Sequence, residues 1–247
     1  MPTDHDLLLA LLILIVGLLY SAVGHAGASG YLAVMALLSV APDVMKPTAL
    51  VLNILVAAIG TVQWVRAGHF KWSLFWPFAA TSIPAAYLGG TIQLSPQYYR
   101  GAVGVILILS AVRLFLASSR PTGPQPHPPS TPVALTSGGV LGFVAGLTGT
   151  GGGIFLSPLM LLCNWADAKQ TSATAVVFIL VNSISGIAGY WSKERSLPHT
   201  VPIWAVAAVI GGLIGSYLGS RRLANPTIRR LLAVVLVIAG VKLLFGG

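Results

Sequence analysis

The sequence predicts an all-α polytopic membrane protein, built from two inverted repeats of about five helices each. Three observations support this fold class. Apolar stretches long enough to cross a bilayer recur from end to end of the 247 residues. Charged residues make up only 8% of the chain, whereas an ordinary soluble domain has about 25%. A glycine cluster followed by a short apolar segment occurs at corresponding places in the two halves.

Apolar segments mark the expected helices. They cover residues 7–24, 27–41, 48–65, 72–91, 100–117, 133–148, 151–163, 171–191, 199–220 and 229–246. All but 27–41 and 151–163 are long enough to span a hydrocarbon core about 30 Å thick. These two are predicted to be short or re-entrant half-helices, because each follows a glycine cluster. The Pro-rich stretch 120–132 is the predicted linker, between an N-terminal membrane repeat, 1–119, and a C-terminal membrane repeat, 133–247.

The two halves show the same order of features, which indicates an internal duplication. The first cluster with its apolar segment, 24–38, reads GHAGASGYLAVMALL, and the second, 146–161, reads GLTGTGGGIFLSPLML. Placing Gly24 on Gly146 aligns Gly27 with Gly149 and Gly30 with Gly152. Further on, KPTALVLN (46–53) parallels KQTSATAVVFILVN (169–182).

The basic residues favour ten spans over eight. With an external N-terminus, ten spans place most Lys and Arg residues on the inner side, as the positive-inside rule requires, and Lys46 on the outer side. Eight spans would divide the basic residues evenly. Five spans per half make the repeats inverted. The net charge of +9 is therefore attributed to topology and lipid headgroups rather than to nucleic acid.

The glycine clusters predict an anion site. Paired Gly-interrupted segments at matching places in two halves point to a transporter's binding site near the midplane. Glycine lets the chain turn and exposes the N–H groups at the start of the following helix, where an anion is stabilised. The alternative is that these glycines only allow close helix packing. The predicted backbone donors are Gly24, Gly27, Gly30, Gly149, Gly151, Gly152 and Gly153, with Ser29 and Thr150 as hydroxyl donors.

Polar side chains follow both clusters. Thr48 and Asn53 come after the first, and Thr171, Thr174 and Asn182 after the second. They are predicted either to bind the same anion or to hydrogen-bond neighbouring helices. No acidic residue falls within a predicted span, so a carboxylate site for H⁺ or Na⁺ is not expected. His25 has three interpretations: it couples transport to protons, it donates to the anion, or it packs as a neutral side chain.

Other function classes fit less well. The quartet GASG (27–30) matches the G-x-S-G pattern of rhomboid-like intramembrane serine proteases, with Ser29 as nucleophile and His69 or His199 as base. A passive anion channel would use the same glycine sites. No catalytic residues, metal ligands or cofactor are predicted. The single cysteine, Cys163, excludes an internal disulfide and is expected to be buried.

The chain resembles the sulfite exporter TauE/SafE family, within the 4-toluene sulfonate uptake permease group. The resemblance rests on the two clusters and above all on the motif GxxGTGGGxxxxP, from Gly146 to Pro158. It implies a multi-pass protein of the bacterial inner membrane that transports small sulfur oxyanions or sulfonates, such as sulfite or sulfoacetate. The first half departs from the motif at Tyr31 and Ala36. The sequence leaves open whether the chain acts alone or as a homodimer.

Overall fold

The computed structural model describes residues 4–22, 24–117, 126–193 and 201–221, together with 237, 241, 244 and 245. Its helices are α1 (Asp4–Ala22), α2 (Ala28–Leu37), α3 (Pro42–Arg66), α4 (Trp72–Thr91), α5 (Pro96–Ala117), α6 (Thr131–Thr148), α7 (Gly153–Leu162), α8 (Ala168–Trp191) and α9 (Val201–Arg221). No strand occurs in this part of the chain, and the predicted all-α class is confirmed. The predicted segment 229–246 lies almost wholly outside the described residues, as do residues 120–125 of the linker.

Five described helices combine the length and hydropathy needed to cross a membrane: α1, α3, α6, α8 and α9. Their outward faces carry exposed apolar side chains such as Leu11, Val140 and Val206, which suits contact with lipid chains. The multi-pass membrane protein predicted from the sequence is thereby confirmed. Helices α2 and α7 have only 10 residues each, about 15 Å of helix, or half of the hydrocarbon core.

Helices of the two halves are interleaved in the fold. Helix α1 packs along α9, and α4 packs along α6, so each of these pairs joins one helix from either side of the linker. Helices α3 and α8 pack against each other between the two pairs. The largest buried cluster spans α1, α2, α3, α5, α8 and α9. The hydrophobic interior is therefore built jointly by both halves.

Glycine stripes allow the two paired interfaces to close. On α6 the stripe faces backbone atoms of α4, and on α9 it faces backbone atoms of α1. A Cβ added at any stripe position would overlap that backbone, so only glycine permits this spacing. The stripe residues are Gly138, Gly142 and Gly146 on α6 and Gly211, Gly215 and Gly219 on α9.

The central helices make matching contacts. Gly60 of α3 packs against Val176 of α8, and Gly186 of α8 packs against Leu50 of α3. Gly186 follows Gly60 by the same number of residues as Val176 follows Leu50. Each contact therefore repeats the other with the two helices exchanged. Because residue numbers rise along α3 as they fall along α8, the two helices run antiparallel.

Candidate functional site

Both short helices begin at a glycine in the left-handed conformation. Gly27 precedes α2 with a φ of 103°, and Gly152 precedes α7 with a φ of 78°. L-residues rarely adopt this conformation, which explains glycine at both positions. Neither helix start receives a side-chain cap, and first-turn N–H groups have no acceptor within their own helix. Each glycine cluster therefore lies at an uncapped helix start.

The structure changes the correspondence between the two clusters. Gly24 and Gly149 both have positive φ, at 78° and 82°, and each lies three residues before the glycine that caps its short helix. Gly24 therefore corresponds to Gly149 and Gly27 to Gly152. The sequence alignment, which placed Gly24 on Gly146, was wrong by three residues because it matched glycine spacing without knowing which glycines form the turn.

The two breaks are joined by side-chain contacts. His25 Nε2 lies 3.1 Å from Ser157 Oγ in α7, and Ser157 donates to the Gly153 carbonyl at 2.9 Å. A serine hydroxyl has one proton, so His25 Nε2 is the donor in the first bond. Gly24 packs closely against Ser172 of α8. The first cluster is thus held against elements of the second half.

Asn53 of α3 connects the first half of the chain to the second glycine cluster. Its Nδ2 donates to the Gly149 carbonyl at 3.3 Å, and a Cβ at Gly151 would lie 3.2 Å from the same nitrogen. Ser183 Oγ would lie 3.0 Å from that Cβ. Asn53 therefore lies directly beside the second glycine loop.

All five predicted polar side chains of α3 and α8 are buried, and each keeps an oxygen without a hydrogen-bond partner among the described residues. Buried polar atoms in native proteins are rarely left unpaired. Eight other buried side-chain atoms of the described residues also lack a partner, so the five oxygens are available to a polar ligand or water without by themselves locating a site. These five oxygens are Thr48 Oγ1, Asn53 Oδ1, Thr171 Oγ1, Thr174 Oγ1 and Asn182 Oδ1.

The two predicted hydroxyl donors have internal partners. Ser29 Oγ donates to the Tyr20 hydroxyl at 3.2 Å. Thr148 Oγ1 donates to the Val144 carbonyl at 2.7 Å, so Thr150 is the donor in its 3.1 Å bond to Thr148 Oγ1. Ser29 and Thr150 can therefore offer backbone N–H groups, but their hydroxyl protons are engaged. Gly30 and Gly153 lie in the first turns, where close packing on α1 and α8 leaves no room for a side chain.

The protease hypothesis finds no support at Ser29, whose hydroxyl contacts a tyrosine rather than a histidine. His69 lies against Trp64, with ring centroids 6.1 Å apart, and His199 lies outside the described residues. Across the described part of the chain, no group of three or more His, Cys, Asp or Glu residues could hold a metal ion. Cys163 is exposed at the end of α7, contrary to the expectation that it would be buried.

Lys46 is the residue that sequence reasoning misplaced. It was assigned to a loop, but α3 begins at Pro42 and buries Lys46 to 5% exposure. Its Nζ donates to the carbonyls of Gly89, Gly90 and Ile92 at 3.3, 3.1 and 2.8 Å, where the last turn of α4 lacks helical partners. Its backbone also contacts Gly149. Pro42, a residue favoured at a first helical position, was the available signal.

Short helices that begin at glycine turns inside a multi-pass α-helical protein are typical of membrane transporters. The chain belongs to the sulfite exporter TauE/SafE family, whose model matches residues 9–243. A probable membrane transporter protein of Sinorhizobium fredii, y4hK, is 42% identical over 240 residues, covering 96% of this chain and 97% of the relative. YjnA of Bacillus subtilis, also named a probable membrane transporter protein, is 30% identical over 250 residues, covering 94% and 96%. No solved structure matches the chain.

Family membership confirms that the chain is a membrane transporter rather than an enzyme. It also confirms the family resemblance drawn from the glycine motifs. The identity of the transported molecule and the residues that bind it stay predictions.

Proposed function

We propose that this transporter moves a small sulfur oxyanion, such as sulfite, or an organosulfonate, and binds it between the starts of α2 and α7. The observation that carries the proposal is the pair of uncapped helix starts, linked through His25 and Ser157. A helix start bears about half a positive charge and unpaired N–H donors, so two of them stabilise an anion without a lysine.

The depth of the second break supports a site near the midplane. Gly151 packs beside Asn53 and Ile179, which lie near the middle of α3 and α8. In this proposal the clusters supply backbone N–H groups, including those of Ser29 and Thr150. Asn53 and Asn182, at similar depths in the antiparallel α3–α8 pair, complete the site. Thr48 lies toward one end of that pair and Thr171 and Thr174 toward the other, so we assign these three threonines to the path of the anion on either side of the site.

We infer that residues 1–119 and 133–247 are inverted repeats joined by the linker 120–132. Two observations support this relation. The corresponding central helices, α3 and α8, run antiparallel and make matching contacts. The remaining pairs, α1 with α9 and α4 with α6, also correspond when the halves are exchanged.

The same packing favours a particular division into moving bodies. Rocking one half against the other would break the glycine-stripe interfaces, in which backbones are in contact. We propose instead that α1 with α9 and α4 with α6 move as two bodies, each containing helices from both halves. The breaks before α2 and α7 would then change exposure from one side to the other.

Flux into proteoliposomes tests the proposed function. We expect saturable sulfite flux, inhibited by sulfoacetate, from vesicles that contain the protein and not from empty vesicles. Uphill accumulation driven by a pH gradient would indicate that a proton moves with the anion, either on His25 or on the substrate itself. Flux that only dissipates the sulfite gradient would assign a passive channel. Absence of flux for every sulfur oxyanion and sulfonate, with folded protein, would contradict the proposal.

A further inference from the structure

Two buried amide side chains near the second glycine loop have fixed orientations. Asn53 donates Nδ2 to the Gly149 carbonyl at 3.3 Å, and Asn182 donates Nδ2 to the Phe178 carbonyl at 2.8 Å. Reversing either amide would place its oxygen against a carbonyl oxygen, which is repulsive. The Phe178 ring itself borders Gly152. Both amides therefore present Oδ1, not Nδ2, as the remaining polar atom.

These two oxygens are acceptors that lack a donor. Asn53 and Asn182 are both 0% exposed, and Oδ1 of each has no hydrogen-bond partner among the residues that the structure describes. A buried acceptor left unpaired carries a free-energy cost. A ligand with a proton donor removes this cost by donating a hydrogen bond to Oδ1. A fully deprotonated oxyanion would instead place a negatively charged oxygen against the amide oxygen, which is repulsive.

Charge leads to the same conclusion. Removing a dianion from water costs far more than removing a monoanion, because the solvation free energy grows with the square of the charge. Two helix starts offer about one positive charge in total. Lys46, the buried lysine of α3, already donates to three carbonyls at the end of α4. The site therefore matches a monoanion better than a dianion.

We propose that the transported species is a protonated monoanion, such as hydrogen sulfite, whose proton is donated to Asn53 Oδ1. Asn182 Oδ1 supplies a second acceptor on α8. The inference rests on the proposed function, since it concerns the same site. It assigns the transported proton to the substrate instead of to a titrating side chain.

Histidine is the side-chain type that ordinarily titrates near neutral pH. On or beside the elements around Asn53, His25 lies in the first glycine cluster, and His5 lies at the start of α1, bonded to the Leu38 carbonyl. The other titratable or charged side chains described on these elements are Asp6 and Tyr20 on α1, Tyr31 on α2, Asp43, Lys46 and Arg66 on α3, Tyr98, Tyr99 and Arg100 on α5, Lys169 and Tyr190 on α8, and Tyr217 on α9. A substitution of His25 by glutamine keeps a donor for Ser157 and removes the titration. It therefore separates a pH dependence of the protein from one of the substrate.

Calorimetric binding to the purified full chain tests the proposal at a series of pH values. The ligands are sulfite, methanesulfonate, which is a monoanion without a proton to donate, and sulfate, a dianion. We expect the apparent Kd of total sulfite to be constant where hydrogen sulfite predominates, and to rise about tenfold per pH unit above its deprotonation. Methanesulfonate should bind more weakly than hydrogen sulfite at every pH, and sulfate more weakly still.

Substitutions identify the acceptor. Asn53→Leu should abolish the preference for hydrogen sulfite over methanesulfonate. Ser82→Ala, which removes another buried and unpaired hydroxyl at the α4–α6 interface, should preserve that preference. His25→Gln should leave the pH profile of sulfite binding unchanged. A profile that disappears in His25→Gln would overturn the inference.

The outcomes separate this inference from the proposed function. Binding of none of the three anions to folded wild-type protein contradicts the proposed function itself. Sulfite binding that does not change through its deprotonation, or methanesulfonate binding of equal strength, contradicts only the protonated-monoanion inference. Binding that requires Na⁺ and is independent of pH would also overturn it, because the unpaired oxygens would then serve a cation.

Discussion

Gly151 offers a sharp test of the anion site because its backbone and its surroundings both exclude a side chain. Its φ is 70°, and placing an L-residue there costs about 1–2 kcal/mol. An alanine Cβ would lie 2.8 Å from Ile179 Cγ2 and 3.0 Å from Ser183 Oγ. We expect Gly151→Ala to displace the loop and lower sulfite affinity about 5–30-fold, the equivalent of 1–2 kcal/mol. Gly151→Leu should abolish transport while still inserting in the membrane.

Gly68 provides the matched control. It has a similar φ of 78°, but a Cβ there would meet nothing within 4 Å. Gly68→Ala therefore introduces the same backbone strain far from the proposed site. The assay is sulfite binding by calorimetry, with the thermal midpoint in detergent measured on the same samples. Wild-type affinity in Gly151→Ala, or an equal loss in Gly68→Ala, would show that Gly151 does not border the anion site.

Further predictions concern the framework around the site. Lys46→Met should destabilise the protein by about 1–3 kcal/mol, because carbonyls at the end of α4 lose their donor. Lys71→Met, a change at an exposed lysine, should not destabilise it. Chemical unfolding compares the two variants, and equal stabilities would contradict the capping role of Lys46. Gly215→Leu should prevent α1 and α9 from packing, seen as loss of monodisperse protein in size-exclusion chromatography, whereas Gly101→Ala, with open space around it, should elute normally. Asp167→Ala should cost about 0.5–2 kcal/mol by removing the carboxylate that accepts from two N–H groups at the start of α8; an unchanged unfolding midpoint would contradict that cap.

The helices were predictable because lipid imposes a strong pattern on sequence. Segment 72–91 coincides with α4, and most other predicted segments begin or end within a few residues of their helices. The start of α3 was missed by six residues. Hydropathy places polar Lys46 outside the membrane segment, but its charge is accommodated by carbonyls of α4, a contact between residues distant in the chain.

The site was predictable in composition but not in geometry. Glycine density indicated the breaks before α2 and α7, and both helices do begin at a glycine of positive φ. Sequence spacing could not show that Gly24 corresponds to Gly149, since φ values decide that. Nor could it show that the hydroxyls of Ser29 and Thr150 bond within the protein, because their partners depend on the exact course of the turns.

Locating the bound anion would distinguish a site at the helix starts from any other position in the protein. Selenite, the heavier analogue of sulfite, can be found by its anomalous scattering in crystals of the full chain. We predict a selenium position between the starts of α2 and α7, within hydrogen-bonding distance of first-turn N–H groups and beside Asn53. Selenium located only beside Lys46 or at the protein surface, with the helix starts occupied by water, would contradict this prediction.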